Sequence, residues 1–203
     1  MIKGIVFDWN KTLVDSTPGY NETNIIKALE QFGKTCDEKT AKNIWVSRER
    51  DNILSNSLEL TSNEQENFWN KFRTYTNNRE ENTIILESVN YLKKLNSKIG
   101  ILTDAPANVF EQEWNYFQKK LDLNFDPIII ARPEYGFERK PNPQGLNHII
   151  NIWGLEKHEI LMIGNGVEDQ KTADNAGVKF YYFNPTQTPS NKYKTLTSFK
   201  ELI

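Results

Sequence analysis

The chain has 203 residues and a formal net charge of −2, with 25 Lys and Arg against 27 Asp and Glu. That length suits one compact domain with an inserted subdomain, and the near-neutral balance leaves no electrostatic footprint for nucleic acid or an anionic membrane. There is no run of about 18 apolar residues to suggest a membrane span, and Cys36 is the only cysteine, which points to a reducing, cytoplasmic setting.

Residues 2–7 are short, β-branched and aromatic, the composition of a buried central strand, and they end at Asp8. A carboxylate at the carboxyl end of such a strand stands where open α/β sheets place their ligands. The opening residues superficially resemble a signal peptide, but the apolar stretch is too short and runs straight into Asp8-Trp9-Asn10-Lys11-Thr12. Between residues 15 and 82 strand periodicity ceases, and three amphipathic stretches follow at about 20–32, 38–54 and 62–76. Thr61-Ser62-Asn63-Glu64 has capping-box spacing, and Phe68, Trp69 and Phe72 then recur as in the core of a small helical bundle.

Strand signals return at 98–102, 127–131, 160–163 and 179–183. Helical candidates separate them at 87–95, 109–121, 142–153 and 170–176, with a short one at 198–202. This alternation predicts an α/β core with a Rossmann-like parallel sheet. The expected division is a core of residues 1–14 and 83–203 and an inserted α-helical cap of residues 15–82, over the sheet's carboxyl edge.

Three of the five strand candidates end at a residue of chemical interest, as a ligand site along that edge requires. In order these are Asp8; Thr103, with Asp104 and Ala105 after it; and Gly164-Asn165-Gly166-Val167-Glu168-Asp169, while Lys140-Pro141-Asn142-Pro143 lies in a loop before a helix. A carboxylate such as Asp8 can attack phosphorus and divide one difficult displacement into two. A Lys at Lys140 supplies a point charge for phosphoryl oxygens.

Taken together the four motifs resemble those of the haloacid dehalogenase-like superfamily: Asp-x-Asp-x-Thr, a strand-terminal Thr or Ser, Lys-Pro-x-Pro, and Gly-Asp-x-x-x-Asp. The branch with a helical cap between motifs one and two, which includes phosphoglycolate phosphatase and β-phosphoglucomutase, resembles this chain over nearly its whole length. The resemblance implies a Mg²⁺-dependent phosphatase-like hydrolase acting on a small phosphorylated metabolite through an aspartyl-phosphate at Asp8. It implies that Thr12 orients the nucleophile, that Thr103 and the backbone of Asp104 bind a phosphoryl group, and that Lys140 neutralises charge. Mg²⁺ would be held by Asp8, the Asn10 carbonyl, Asn165 and Asp169.

Three departures from that pattern matter. Lys11 stands where the family has Gly, in a turn where Gly's tolerance of positive φ is useful. Asn165 replaces the first acid of motif four, which implies weakened Mg²⁺ binding, since an amide ligates without charge. Asn10 replaces the acid that protonates the leaving oxygen and then activates water, a loss worth about 10²–10⁴ in rate, or roughly 3–5 kcal/mol of barrier. Alkyl phosphates should suffer that loss fully; acyl phosphates, pyrophosphate and nucleotides, with better leaving groups, should suffer little. The competing expectations are a non-catalytic phosphate-binding or interaction protein and, behind it, a metal-free dehalogenase. Arg48 and Arg50 stand as candidates to reach a substrate anion against a solvated helix face, and His148 and His158 read as surface or helix residues.

Overall fold

The structure, a computed structural model, describes residues 1–46, 50–122, 127–131, 136–186 and 193–203. The strands in chain order are β1 (Gly4–Phe7), β2 (Val14–Asp15), β3 (Ile84–Ile85), β4 (Lys98–Thr103), β5 (Ile128–Ala131), β6 (Ile160–Gly164), β7 (Lys179–Phe183) and β8 (Thr195–Leu196). The α-helices are α1 (Glu22–Glu30), α2 (Glu38–Val46), α3 (Arg50–Asn52), α4 (Ser62–Tyr75), α5 (Arg79–Asn82), α6 (Ala107–Leu121), α7 (Gln144–Trp153) and α8 (Val167–Ala176). The chain divides into two compact units, residues 1–15 with 85–203, and residues 16–84.

The first unit is built on a six-stranded sheet in the order β5-β4-β1-β6-β7-β8, with every pair parallel. β1 is central and buried at every residue. From β1 the chain builds outward through β4 and β5 on one side, then returns to the other side for β6, β7 and β8. The order therefore reverses about β1, and the crevice at the carboxyl ends of β4, β1 and β6 is the topological switch point of the sheet. The strands alternate between two cores: Ile5, Phe7, Ile101 and Ile163 pack with Phe110, Phe117 and Phe199, while Val6, Leu102 and Met162 pack with Leu146, Ile149 and Ala173. Burial on both faces explains why these strands read as apolar runs rather than as alternating ones.

The second unit is helical, and among its described residues only Ile84 is in a strand. Asn21 caps α1, its side chain accepting the Asn24 N–H at 2.9 Å. Thr61 and Glu64 form the capping box at the start of α4, the Thr61 N–H donating to Glu64 Oε2 at 2.8 Å. Phe68 and Phe72 are buried, and Tyr20 stacks on Trp45 with ring centroids 4.1 Å apart.

Several elements differ from the sequence expectation. The stretch expected as one helix over 38–54 contains α2, then α3 running into a π-helical turn at Ile53–Ser57, with 47–49 outside the described residues. The segment Glu87–Lys94 is a 3₁₀ helix, not an α-helix. β8 was not expected, because a two-residue strand carries no period and exists only through its pairing with β7. No helix among the described residues is long and apolar enough to cross a membrane.

Candidate active site

Asp8 follows β1, and its N–H donates to Ile163 O at 2.8 Å, extending the β1–β6 ladder by one residue. The backbone then turns sharply: Leu13 N–H donates to Trp9 O at 2.8 Å and Lys11 N–H to Val14 O at 2.6 Å. Lys11 takes the left-handed conformation at φ 64 that the turn demands, and its ammonium pairs with Asp15 at 2.7 Å. The strain of a non-glycine residue there, roughly 1–2 kcal/mol, is thus accepted in place of a glycine. The turn brings Thr12 back over Asp8, and the Thr12 hydroxyl donates to Asp8 Oδ2 at 3.2 Å.

Lys140 comes from the loop before α7. Its Nζ donates to Asp8 Oδ1 at 2.5 Å and also to Asp169 Oδ1, and its own N–H donates to Asp104 Oδ1 at 3.1 Å. Asp169 lies in the first turn of α8, where Oδ2 accepts the Gly166 N–H at 2.9 Å and the helix N-terminus favours negative charge. Gly164 is required at this point, since a Cβ on it would lie 2.5 Å from the Asp169 side chain. Asp8, Thr12, Thr103, Lys140 and Asp169 are all buried, whereas Asn10 is half-buried and Asn165 exposed, so the cluster meets solvent along its two asparagines.

Burial, reinforced by the Asp169 carboxylate, pushes the Asp8 pKa up to about 6 against the opposing pull of Lys140. For Lys140 burial acts downward, but Asp169, Asp8 and Asp104 outweigh it and hold the ammonium well above its usual range. The ammonium is therefore permanently charged, and Asp8 is mostly ionised at neutral pH.

Asn165 completes the arrangement. Its terminal side-chain atom nearest the strand ends is 3.0 Å from Asn10 O and 3.3 Å from Asp8 Oδ2. Among the described residues no group of three or more His, Cys, Asp or Glu side chains converges as a metal site. With the Asn165 oxygen turned inward, however, Asp8 Oδ2, Asn10 O and Asn165 Oδ1 form a set of three hard oxygens. Adjacent ligands of an octahedral Mg²⁺ at 2.0–2.1 Å are about 3 Å apart, and the separations of the Asn165 atom from Asn10 O, 3.0 Å, and from Asp8 Oδ2, 3.3 Å, suit that ion, with one carboxylate charge in the set.

Of the residues singled out in the sequence, the structure joins Asp8, Asn10, Thr12, Asp104, Lys140, Asn165 and Asp169 through these contacts. Thr103 ends the strand beside β1, and its hydroxyl accepts the Ala105 N–H at 3.1 Å. The Asp104 side chain anchors the Lys140 loop. His148 lies on an exposed position of α7 beside Phe137, the Arg50 guanidinium packs over Trp69 at 5.8 Å, and Arg48 lies outside the described residues.

In the sequence Trp9 carried no role beyond its place in the first motif, and Glu113 went unremarked. Trp9 is fully buried between Asp8 and Asn10, and its indole N–H donates to Glu113 Oε2 at 2.6 Å. The available signal was an acid on the apolar face of α6, in register with Val109, Phe110 and Phe117.

The sheet order and the switch-point location define a doubly wound α/β protein, and residues 5–183 match the family of haloacid dehalogenase-like hydrolases, to which the chain belongs. Among curated proteins it is similar to a phosphoglycolate phosphatase of Photorhabdus laumondii subsp. laumondii, 25% identical over 222 residues, covering 100% of this chain and 91% of that protein. It is also similar to the pyrophosphatase PpaX of Bacillus cereus, 33% identical over 101 residues, covering 49% of this chain and 44% of that protein. Among solved structures, a haloacid dehalogenase-like hydrolase from Bacteroides fragilis superposes with a TM-score of 0.75 at 23% identity, covering 100% of both chains. A β-phosphoglucomutase from Thermotoga maritima superposes with a TM-score of 0.73 at 17% identity, covering 99% and 96%. These likenesses establish the fold.

Proposed function

We propose that this protein is a Mg²⁺-dependent phosphohydrolase that forms an aspartyl-phosphate at Asp8 and is restricted to small substrates with good leaving groups. The observation that carries this reading is the Lys140 ammonium bridging Asp8 and Asp169, with Thr12 fixing the second oxygen of Asp8. A lone buried carboxylate would protonate; this one is held ready as an anion above about pH 6.

In the first step an Asp8 carboxylate oxygen bonds to phosphorus as the bond from phosphorus to the leaving oxygen breaks. Lys140 stays protonated and offsets the charge that gathers on the phosphoryl oxygens, and Thr103 with the Asp104 backbone binds that group. Asp8, Asn10 O and Asn165 would hold Mg²⁺, with Asp169 behind Lys140, and the ion when bound would supply further neutralisation of the phosphoryl charge. In the second step water attacks phosphorus and passes a proton to a phosphoryl oxygen, the bond to Asp8 breaks with its electrons returning to the carboxylate, and hydrogen phosphate leaves.

Asn10 has no proton to give in the first step and no basic site to accept one in the second. Substrates whose leaving group departs as a stable anion, such as acyl phosphates and phosphoanhydrides, escape the first deficit, and the pyrophosphatase among the relatives supports that class. The second deficit remains for every substrate, so the phosphorylated form of Asp8 accumulates.

The test is hydrolysis of acetyl phosphate, pyrophosphate and phosphoglycolate, with and without Mg²⁺, alongside Asp8→Asn. A Mg²⁺-dependent burst of one phosphate per chain on acetyl phosphate, absent in Asp8→Asn, is expected. No burst and no turnover on any of the three would favour the second reading, a phosphate-binding protein, to which the asparagines at 10 and 165 otherwise point.

A further inference from the structure

The position of Asn165 has a consequence for the protein without a cation. Its inward-facing atom meets two acceptors, Asn10 O at 3.0 Å and Asp8 Oδ2 at 3.3 Å. Thr12 Oγ1 lies 3.4 Å from the same atom, but a hydroxyl has one proton, and Asp8 Oδ2 at 3.2 Å takes it. An oxygen at this place confronts its neighbours with no hydrogen between them. An amide nitrogen donates one N–H to each of Asn10 O and Asp8 Oδ2, and its partner oxygen turns outward.

We propose that Asn165 is a two-position element: with nitrogen inward it links Asp8 to the Asn10 carbonyl in place of a cation, and with oxygen inward it completes the oxygen set for a divalent cation. The second position rests on the Mg²⁺ reading above; the first does not. The chemistry of the side chain separates it from the carboxylate usual at this place. A carboxylate offers only acceptors, so beside Asp8 and Asp169 it would leave three acids facing the single ammonium of Lys140 and would depend on a cation to relieve the repulsion. The amide instead satisfies both neighbours by itself. Loading Mg²⁺ then requires both N–H bonds to break and the amide to turn, without any gain in ligand charge. Asn165 thus uncouples the stability of the site from the metal, at the expense of affinity for it.

The experiment compares wild type, Asn165→Asp and Asn165→Ala by thermal melting in chelator and through a Mg²⁺ titration, with Mg²⁺ affinity measured by calorimetry. In chelator the wild type should melt above both variants. Asn165→Asp should bind Mg²⁺ about tenfold or more tightly than wild type, because carboxylate charge dominates Mg²⁺ affinity. Its melting temperature should climb with Mg²⁺ accordingly, whereas Asn165→Ala should gain nothing beyond wild type. If Asn165→Asp is as stable as wild type in chelator, or binds Mg²⁺ no more tightly, the proposal is overturned. Should Asn165→Asp fail to fold, the chelator comparison of Asn165→Ala with wild type decides the first position: equal melting refutes it. If neither wild type nor Asn165→Asp binds Mg²⁺ while the chelator order holds, the Mg²⁺ reading falls and the two-position proposal with it. Loss of the acetyl phosphate burst with intact Mg²⁺ binding would instead remove the phosphohydrolase reading alone.

Discussion

Trp9 and Glu113 are 104 residues apart in the chain and joined by a buried hydrogen bond of 2.6 Å, the indole N–H donating to the carboxylate. Phe110 and Phe117 pack edge-on against the same indole, at centroid distances of 4.9 and 5.0 Å. Because Trp9 sits between Asp8 and Asn10, this bond ties the first-motif turn to α6. Glu113→Leu strands the indole N–H and should cost about 1–3 kcal/mol in denaturant unfolding. Glu113→Gln keeps an acceptor and should cost less. Trp9→Phe combined with Glu113→Leu removes the stranded donor, so the double variant should lose less than the sum of its parts. Strict additivity would mean that the bond contributes nothing.

Restoring an acid at position 10 separates adaptation from decay. Asn10→Asp should raise phosphorylation of Asp8 by alkyl phosphates by about tenfold or more while the burst rate on acetyl phosphate changes little, since general acid catalysis matters only for a basic leaving group; release of phosphate from Asp8 should quicken for both. The combined Asn10→Asp, Asn165→Asp variant should be assayed in parallel, because weak metal loading can mask the gain. Brisk turnover of phosphoglycolate by the wild type would contradict the account of Asn10.

The buried Asp8 carboxylate burdens the fold. Its pKa rises from 3.8 to about 6 on folding, so between those values the folded protein holds more protons than the unfolded chain. Stability contributed by this group is complete below pH 3.8 and is lost as pH rises through about 6. In chelator Asp8→Asn, which cannot ionise, should therefore be more stable than wild type at pH 7 by about 1–3 kcal/mol. That advantage should shrink toward zero near pH 4. Equal stability at pH 7, measured by urea unfolding, would show that Lys140 fully offsets the desolvation.

Lys11 offers a smaller test. Replacing it with Gly relieves roughly 1–2 kcal/mol of left-handed strain, loosens the unfolded chain by about 0.4–1 kcal/mol and removes an exposed ion pair worth about 0.3–0.5 kcal/mol. Lys11→Gly should thus lie between about 0.5 kcal/mol less and about 1 kcal/mol more stable than wild type, whereas Lys11→Val, β-branched at φ 64, should be clearly less stable. A Gly variant less stable than the Val variant would contradict the strain argument.

The apolar runs at 98–103 and 160–164 announced their strands, because burial on both faces of a parallel sheet removes polar residues from the pattern. Asp8, Thr103 and Gly164 at strand ends were legible for the same reason: local composition marks where a strand stops. Lys140 was legible through its prolines, but its burial between two carboxylates was not, since ion pairing acts across 132 and 29 residues of chain. Glu113 looked like one more acid in a helix. Only folding places it on the indole of Trp9. Sequence by itself determined the parallel α/β core, the family and the chemical types at the strand ends, because these depend on local periodicity and residue identity. Tertiary structure alone decided that Asp8 lies high in pKa beside a fixed ammonium and that the Asn165 amide faces Asp8 and Asn10, because desolvation and hydrogen bonding arise only when distant segments share one buried volume.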